Sequence, residues 1–337
     1  MTNNRYLNSL YIENFRAFKR LEIKQLGQIN LITGKNNVGK TCLLETIWLY
    51  ASDGDPHVIQ EILKNRGELE NGIKSVKHFF HADSCLSKFE TIDQKQGFYM
   101  GIDNIITSLI IANVPLSISK DGKINHPPPP DKINEIVYRK NLFRIARNDL
   151  TGTTTHQFVS SKGISHEKIV NLWKEVDFTD LEDDIKHALQ VIEPNVRTVG
   201  LDVKTLAPTV RVGNKRWIIS SLGGGMNRTF EMALALVNAK DGFLMIDEIE
   251  NGLFYEVQPM IWNFIFEVAK RLNVQVFVTT HGKDAIEAFD EANREHEDVK
   301  GMMISLRHVN NKPGEVVGIT FDTEEIEYMV DTDLEVR

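Results

Sequence analysis

The octapeptide GKNNVGKT at residues 34–41 lies between an apolar run, INLIT at 29–33, and the segment CLLETIW at 42–48. It fits the pattern G-x-x-x-x-G-K-[ST], with a predicted strand before it and a predicted helix after it. The two glycines let the backbone wrap closely, so that its N–H groups and the next helix N-terminus surround a polyphosphate. The residues predicted to bind the nucleotide phosphates are Gly34, Lys35, Asn36, Asn37, Val38, Gly39, Lys40, Thr41 and Cys42.

Two side chains of this loop carry the predicted chemistry. Lys40 reaches the β and γ phosphates, and the Thr41 hydroxyl is a ligand for Mg²⁺, which accepts one or two protein oxygens and keeps water and phosphate for the rest. The alternative is a glycine-containing turn that binds nothing. The coincidence of glycines, lysine, hydroxyl and strand–helix context favours the phosphate site.

A second cluster follows the apolar run FLMI at 243–246, which is typical of a buried parallel strand whose carboxyl end meets a ligand. In nucleoside triphosphatases this geometry places the first acid, Asp247, at Mg²⁺ and the second, Glu248, against the attacking water. A positioned carboxylate base increases the rate by about 10²–10⁴. The alternative is a strand that ends in two solvated acids.

The segment SSLGGG at 220–225 precedes an amphipathic helix and predicts another anion site, because a helix N-terminus offers free N–H groups and a favourable dipole. Two phosphate-facing helix ends in one chain suggest a head-to-tail dimer in which each copy completes the other's site. The alternative is an ordinary capped glycine turn.

A histidine follows the next predicted buried strand, 274–278. His281 can donate one ring N–H to the γ-phosphate. A lone histidine is more often structural, but its place one strand after the acidic pair favours the functional interpretation.

The bulk composition predicts a soluble, cytoplasmic protein that is not a general nucleic-acid binder. The chain has 337 residues and a net charge of −8. Cys42 and Cys85 have no disulfide or metal spacing, and the apolar segment 105–112 is too short to span a membrane. Five N-terminal cations indicate either a local nucleic-acid patch or a solvated strand face: Arg5, Arg16, Lys19, Arg20 and Lys24.

Hydrophobic periodicity and turn residues predict the remaining elements. Strands are expected at 7–12, 21–24, 28–33, 199–203, 208–212, 274–278, 302–309 and 316–321, and an antiparallel lobe over 74–120. Helices are expected at 40–51, 57–65, 169–176 and 181–192. Loops are expected at 126–130, a candidate polyproline ligand, and at 141–162.

Together GKNNVGKT, SSLGGGMNR, FLMIDEIENGL and VTTH resemble the motifs of ABC-type ATPases of the RecF, SMC and OLD-like group. The nearest resemblance is to stand-alone AAA15-type ATPases of bacterial defence loci. The segment 12–18 is similar to that group's opening motif. The resemblance covers 6–73 and 192–337.

The resemblance implies an α/β P-loop ATPase with a mixed central sheet, an antiparallel N-terminal lobe and a helical insertion. The whole chain, 1–337, is then one ABC-type head: an N-terminal lobe with Walker A (1–120), a loop and helical insertion (121–195) and a C-terminal lobe (196–337). By this resemblance, the signature motif contains Ser221, Gly223 and Gly225, and the Walker B motif contains Asp247 and Glu248. The D-loop is 250–253, the switch histidine is His281, and the Q-loop residue is Gln94 or Gln96.

The implied function is hydrolysis of ATP with Mg²⁺ by a homodimer or higher oligomer that controls a separate effector protein, a nuclease or toxin, in antiphage defence. DNA is a further candidate partner, and no membrane is expected. The alternatives are a RecF-like DNA-repair clamp and a static ATP-bound scaffold. An independent nuclease is disfavoured, because the C-terminal acids are typical of a solvated helix face: Asp322, Glu324, Glu325 and Glu327.

Overall fold

The computed structural model describes residues 6–52, 54–68, 79, 154–309, 312 and 315–332, and, between 86 and 146, the strands 86–90, 96–103, 108–115, 117–118, 124–125, 134–139 and 142–146. The chain forms two compact units. Unit 1 comprises 1–26, 35–154 and 305–320, and unit 2 comprises 27–34, 155–304 and 321–337.

Strands and helices alternate along much of the chain. The strands are β1 Leu10–Phe15, β2 Phe18–Ile23, β3 Ile29–Gly34, β4 Leu86–Glu90, β5 Gln96–Asp103, β6 Ser108–Pro115, β7 Ser117–Ile118, β8 Ile124–Asn125, β9 Asn134–Arg139, β10 Leu142–Ala146, β11 His156–Val159, β12 Val196–Leu201, β13 Pro208–Val212, β14 Lys215–Ile218, β15 Phe243–Ile246, β16 Gln275–Thr279, β17 Gly301–His308 and β18 Val316–Phe321. The α-helices are α1 Lys40–Ala51, α2 Pro56–Asn65, α3 His166–Val176, α4 Leu181–Ile192, α5 Gly224–Val237, α6 Gln258–Leu272, α7 Lys283–Glu295 and α8 Thr323–Asp331.

Unit 1 is built on a seven-stranded sheet in the order β10-β9-β6-β5-β4-β1-β2. Every neighbouring pair is antiparallel. Helix α1 buries Leu43, Leu44, Ile47 and Trp48 as expected, but nine of its twelve residues are buried, so it is enclosed on nearly all sides and not on one face only. The predicted antiparallel lobe is confirmed.

Unit 2 contains four parallel strands in the order β11-β15-β16-β3, and β17 comes next after β3. All residues of β3, β15 and β16 are buried. Strands that are buried on both faces consist of near-continuous apolar runs. The apolar sequences of these three strands therefore fit their central position in the sheet. The aromatic core of unit 2 includes Trp262, Phe266 and Phe289.

Unit 2 also carries a separate three-stranded antiparallel sheet in the order β12-β13-β14. Val196 and Val210 of this sheet are buried in the core that α3, α4 and α5 also line. Strand β14 leads directly into the glycine segment at 220–225.

Several predicted boundaries are confirmed and others are wrong. Helix 40–51 and strand 316–321 have the predicted bounds, and α2 starts one residue early because Pro56 takes its first position after the Asp55 cap. The loop predicted at 141–162 contains β10 and β11, so the 121–195 segment is not only loop and helix. Strand β11 is short, with only Phe158 and Val159 buried, so it lacks a periodic signal. Arg5, Cys85, Gln94 and the proline loop 126–130 lie outside the described residues.

Among the described residues, no helix has the length and apolar character needed to cross a membrane.

Candidate functional site

The phosphate loop begins where β3 ends and continues into α1. Asn37 and Gly39 have positive φ angles of 65° and 107°. A Cβ atom on Gly39 would lie 2.7 Å from a ring carbon of Phe18, so both conformation and space require glycine there. The Lys40 ammonium donates to the carbonyl oxygen of Lys35 at 3.2 Å, so the lysine side chain folds back onto the loop.

A buried ionic network in unit 1 supports α1 one turn after the loop. The Glu45 carboxylate lies 2.8 Å from Arg16 Nε and accepts from Arg66 Nε at 2.5 Å. Arg16 also donates two hydrogen bonds to Glu68, at 3.0 and 2.9 Å. Burial raises the pKa of the Glu45 carboxyl, and the two guanidinium groups oppose that shift.

This network corrects one interpretation of the N-terminal cations. The Arg16 side chain is only 6% exposed, so Arg16 is a structural cation and does not belong to an exposed basic patch. Arg20 is 65% exposed and lies 3.6 Å from a carboxylate oxygen of Glu22.

An acidic edge lies in unit 2 at the carboxyl ends of β15 and β16. Asp247 is buried, and its Oδ1 accepts from the Thr279 hydroxyl at 2.7 Å. The same hydroxyl oxygen accepts from the Glu248 N–H at 2.8 Å. Thr279 therefore fixes both acids relative to β16.

The Glu248 carboxylate is oriented by one neighbour and remains partly open. Asn251 Nδ2 donates to Glu248 Oε2 at 2.8 Å, and the Glu248 side chain is 36% exposed. The backbone φ of Glu248 is +53°, a region that is uncommon for residues other than glycine and often found where function requires it. Such a carboxylate can accept a proton from a water molecule.

His281 lies at the same edge and is held by Glu250. Its Nδ1 is 2.8 Å from Glu250 Oε1, and its backbone N–H donates to the same oxygen at 2.8 Å. The Thr280 hydroxyl donates to Glu250 Oε2 at 2.9 Å. The family resemblance implied a D-loop role for Glu250 but not its contact with the histidine ring.

Arg228 is a second residue whose role the sequence did not reveal. Its buried guanidinium donates to the carbonyl oxygens of Ser160 (2.6 Å), Asp247 (2.7 Å) and Glu248 (3.2 Å). Burial lowers its pKa, and the acids Glu231, Asp247, Glu248 and Glu250 oppose that shift. Arg228 thus connects α5 to the acidic edge and to the loop after β11.

The glycine segment at 220–225 contains a short turn and the first residues of α5. The Ser221 hydroxyl donates to the Ile218 carbonyl at 2.6 Å, and both Ser221 and Gly223 are exposed. Gly223 has a φ of 108°, and a Cβ atom on Gly225 would lie 2.9 Å from the carbonyl oxygen of Gly252. The absence of a side chain at 225 therefore lets this segment contact the predicted D-loop within one chain.

Parallel pairing brings these parts of unit 2 to one edge. In register, Ile246 lies opposite Val278, and Val278 lies opposite Leu31. The Thr280 N–H donates to the Ile32 carbonyl at 3.0 Å. Asp247 and Glu248 consequently follow β15, and His281 follows β16, which lies between β15 and β3, the strand that continues into the phosphate loop.

Residues 6–111 and 140–286 match the AAA_15 model, which is described as an AAA ATPase domain. The chain belongs to the AAA_15 family. It is 24% identical over 333 residues to an ATP/GTP phosphatase of Helicobacter pylori, covering 86% of this chain and 89% of the relative. It is also 36% identical over 225 residues to the uncharacterized protein MJECL10 of Methanocaldococcus jannaschii, covering 63% of this chain and 94% of that protein.

Solved structures similar to this AAA_15 chain include heads of SMC proteins. An SMC head bound to the C-terminal winged-helix domain of ScpA aligns with a TM-score of 0.56 at 15% identity, covering 96% of this chain and 99% of that one. A second, with an extended coiled coil and bound to the C-terminal domain of ScpA derived from Pyrococcus furiosus, has a TM-score of 0.53 at 12% identity, covering 98% and 100%. The RecF protein of Clostridium acetobutylicum is 42% identical over 52 residues, 15% of this chain and 14% of RecF.

These findings confirm the predicted membership of the AAA_15 chain in the RecF and SMC group of ABC-type ATPases and its P-loop α/β fold with a mixed central sheet. An ATPase domain implies that the chain binds ATP.

Proposed function

We propose that this AAA_15 ATPase hydrolyses ATP to ADP and phosphate with Glu248 as the general base. The proposal rests on the position of Glu248. Asn251 holds its carboxylate at the sheet edge where β3 ends and the phosphate loop begins. Phosphoryl transfer depends mainly on positioning and charge stabilisation. The described arrangement offers a carboxylate for the water, and the loop offers N–H groups and a lysine for the phosphates.

The division of roles follows the chemistry of the side chains. The residues of 34–42 bind the phosphates, with Lys40 at the β and γ groups. His281 is oriented by Glu250 through Nδ1. When both of its ring nitrogens carry a proton, its Nε2–H donates to the γ-phosphate. Thr279 keeps Asp247 and Glu248 in register while the water loses its proton.

The oxygen donors suit a hard divalent cation. Asp247 offers a carboxylate and Thr41 offers a hydroxyl, and Mg²⁺ prefers such oxygen ligands. When bound, Mg²⁺ neutralises charge on the phosphate oxygens. Asp247 already has one oxygen fixed by Thr279 at 2.7 Å, so little side-chain entropy is lost when the cation binds.

We further propose that two copies close head-to-tail around ATP and thereby control a separate effector, a nuclease or toxin of antiphage defence. Ser221 and Gly223 are exposed at the start of α5, where a partner's phosphates would meet a helix N-terminus. The contact of Gly225 with Gly252 and the bonds of Arg228 to the acidic edge connect that surface to Glu248 in the same chain.

The test is the solution mass of Glu248→Gln protein with and without Mg²⁺-ATP. The amide cannot accept the proton, so the closed dimer should accumulate, and its mass should double only with ATP. Lys40→Ala is the control that does not bind ATP, and Ser221→Arg is the control that binds ATP but blocks the partner's phosphates. A Glu248→Gln protein that stays monomeric with bound ATP would contradict the head-to-tail dimer.

A further inference from the structure

The turn between α3 and α4 presents an aromatic side chain almost completely to solvent. Phe178 is 95% exposed, more than any other large apolar residue that the structure describes. Its backbone φ is +60°, and it directly follows the C-cap of α3, where helices commonly end with glycine. Glycine adopts this conformation without strain and a bulky residue does not. Neither burial nor backbone geometry therefore accounts for a phenylalanine at this position.

Carboxylates flank this phenylalanine in the turn 177–180, which we call the aromatic turn. Asp177 and Asp180 are both exposed. The Glu182 carboxylate accepts from the Phe178 N–H at 2.5 Å, so a third acid lies at the turn. The Asp180 side chain makes no hydrogen bond or ion pair with a residue that the structure describes. The aromatic turn thus combines an exposed ring with negative charge that is not fully neutralised.

A complementary surface lies on the outer face of the sheet β12-β13-β14. The register places Arg211 directly opposite Arg216, and Ile218 opposite Thr209 on the same face. Arg211, Arg216 and Ile218 are exposed, and a Cβ atom added to Gly200 in this face would meet no atom within 4 Å. We call this surface the arginine face. It offers two guanidinium groups beside an open, partly apolar area.

The charge of the arginine face is only partly compensated. The Arg211 side chain makes no hydrogen bond or ion pair with any residue in the described part of the chain. Arg216 donates to the Thr209 hydroxyl at 3.1 Å and lies 3.7 Å from a carboxylate oxygen of Asp202, so its guanidinium is held in place. Like charges directly opposite each other destabilise a strand pair. A carboxylate that binds between the two arginines removes this repulsion.

The sheet itself separates the two surfaces within one chain. Helices α3 and α4, which the aromatic turn connects, pack against the other face of the sheet, where Val196 and Val210 are buried with residues of both helices. The arginine face points away from these helices. A contact between the aromatic turn and an arginine face therefore requires a second copy of the chain.

We infer that the aromatic turn of one copy docks on the arginine face of another copy. The Asp180 carboxylate forms a charge-assisted pair with Arg211, and the Phe178 ring packs on the guanidinium plane of Arg216. The contact joins unlike surfaces, so each copy binds two others and the assembly is a ring or an open chain. It requires no nucleotide and is independent of the proposed ATP-driven dimer. Because both surfaces are small, the contact is weak and forms only in concentrated protein.

The first test is sedimentation velocity of the full chain without nucleotide over a series of protein concentrations. Wild type should shift to larger species as its concentration rises. Phe178→Gly should weaken the contact by about 30-fold, as expected for an aromatic anchor. Its Tm should stay close to that of wild type, because glycine suits the positive φ. Tyr328→Ala, which removes another exposed aromatic side chain of unit 2, should associate like wild type.

The second test exchanges the charges of the two surfaces. Asp180→Arg and Arg211→Glu each place like charges across the contact, so each protein alone should remain monomeric. In an equimolar mixture every contact again joins opposite charges, and the larger species should return. Lys240→Glu, which reverses an exposed cation elsewhere in unit 2, should behave like wild type.

Two results would overturn the inference. One is a wild-type chain that stays monomeric at every concentration, which would leave the aromatic turn to a different protein. The other is a mixture of Asp180→Arg and Arg211→Glu that does not regain mass. In dilute protein all variants should hydrolyse ATP at the wild-type rate, so a loss of association cannot be due to misfolding. The ATP-driven dimer is measured in dilute protein with ATP, so its failure and the failure of this contact are distinguishable.

Discussion

The phosphate loop and the acidic edge differ in how they are built. The loop is eight consecutive residues whose shape follows from local features, the positive φ of Asn37 and Gly39 and the start of α1. The acidic edge is assembled from residues up to about 120 positions apart, from Ser160 to His281, through Arg228, Thr279 and Glu250. The phosphate loop should therefore tolerate substitutions elsewhere in the chain, whereas the acidic edge depends on tertiary contacts.

The largest expected effect comes from a substitution in the phosphate loop that leaves the supporting residues unchanged. Lys40→Ala removes the ammonium that faces the phosphates, and we expect ATP hydrolysis to fall about 10³-fold, about 4 kcal/mol. Because the Lys40 bond to the Lys35 carbonyl is solvent-exposed, thermal unfolding should change little. Steady-state hydrolysis and calorimetry provide the two measurements. A large drop in Tm would show that the loop is less self-contained than its sequence indicates.

The next largest effect tests the buried ionic network that supports α1 after the phosphate loop. Arg16→Met removes one of two guanidinium groups from buried Glu45 and both bonds to Glu68. We expect the free energy of unfolding to fall by about 3 kcal/mol, since breaking a buried ion pair leaves a charge uncompensated. Denaturant unfolding measures it, and Arg20→Met, which removes an exposed arginine nearby, is the matched control. Equal losses in both variants would contradict the structural role of Arg16.

A smaller effect tests the tertiary contacts that Arg228 makes with the acidic edge. Arg228→Gln leaves the buried carbonyl group of Asp247 and the partly buried carbonyl group of Ser160 short of a donor, at a cost of about 2 kcal/mol in stability. In contrast to Lys40→Ala, both Tm and kcat should fall while the KM for ATP stays close to wild type. Arg228→Lys should restore part of kcat. A variant that loses stability but keeps kcat would restrict Arg228 to a packing role.

The smallest effect concerns the orientation of the base. Asn251→Ala removes the donor to Glu248 Oε2, and we expect kcat to fall by about tenfold, about 1.4 kcal/mol. Asn251→Gln, which keeps the amide but not its position, is the comparison. An unchanged kcat in Asn251→Ala would mean that Glu248 is positioned by its backbone alone.

The same contrast explains which features the sequence predicted. The phosphate loop, α1 and the apolar run of β15 have local signals in spacing and composition, and they were predicted with close boundaries. Strand β11 and the role of Arg228 have none, because β11 is defined by pairing with β15 and Arg228 by carbonyl groups 68 and 19 residues away. Arg16 was taken for a surface cation because its partners, Glu45 and Glu68, are distant in sequence.

Glu248 is the proposed base for hydrolysis of ATP held by the phosphate loop. The most direct measurement is the single-turnover rate of ATP hydrolysis by Glu248→Gln, with ATP affinity measured on the same protein. We expect an ATP affinity within a few-fold of wild type and a hydrolysis rate lower by about 10²–10⁴. A variant that binds ATP and hydrolyses it at the wild-type rate would contradict the claim.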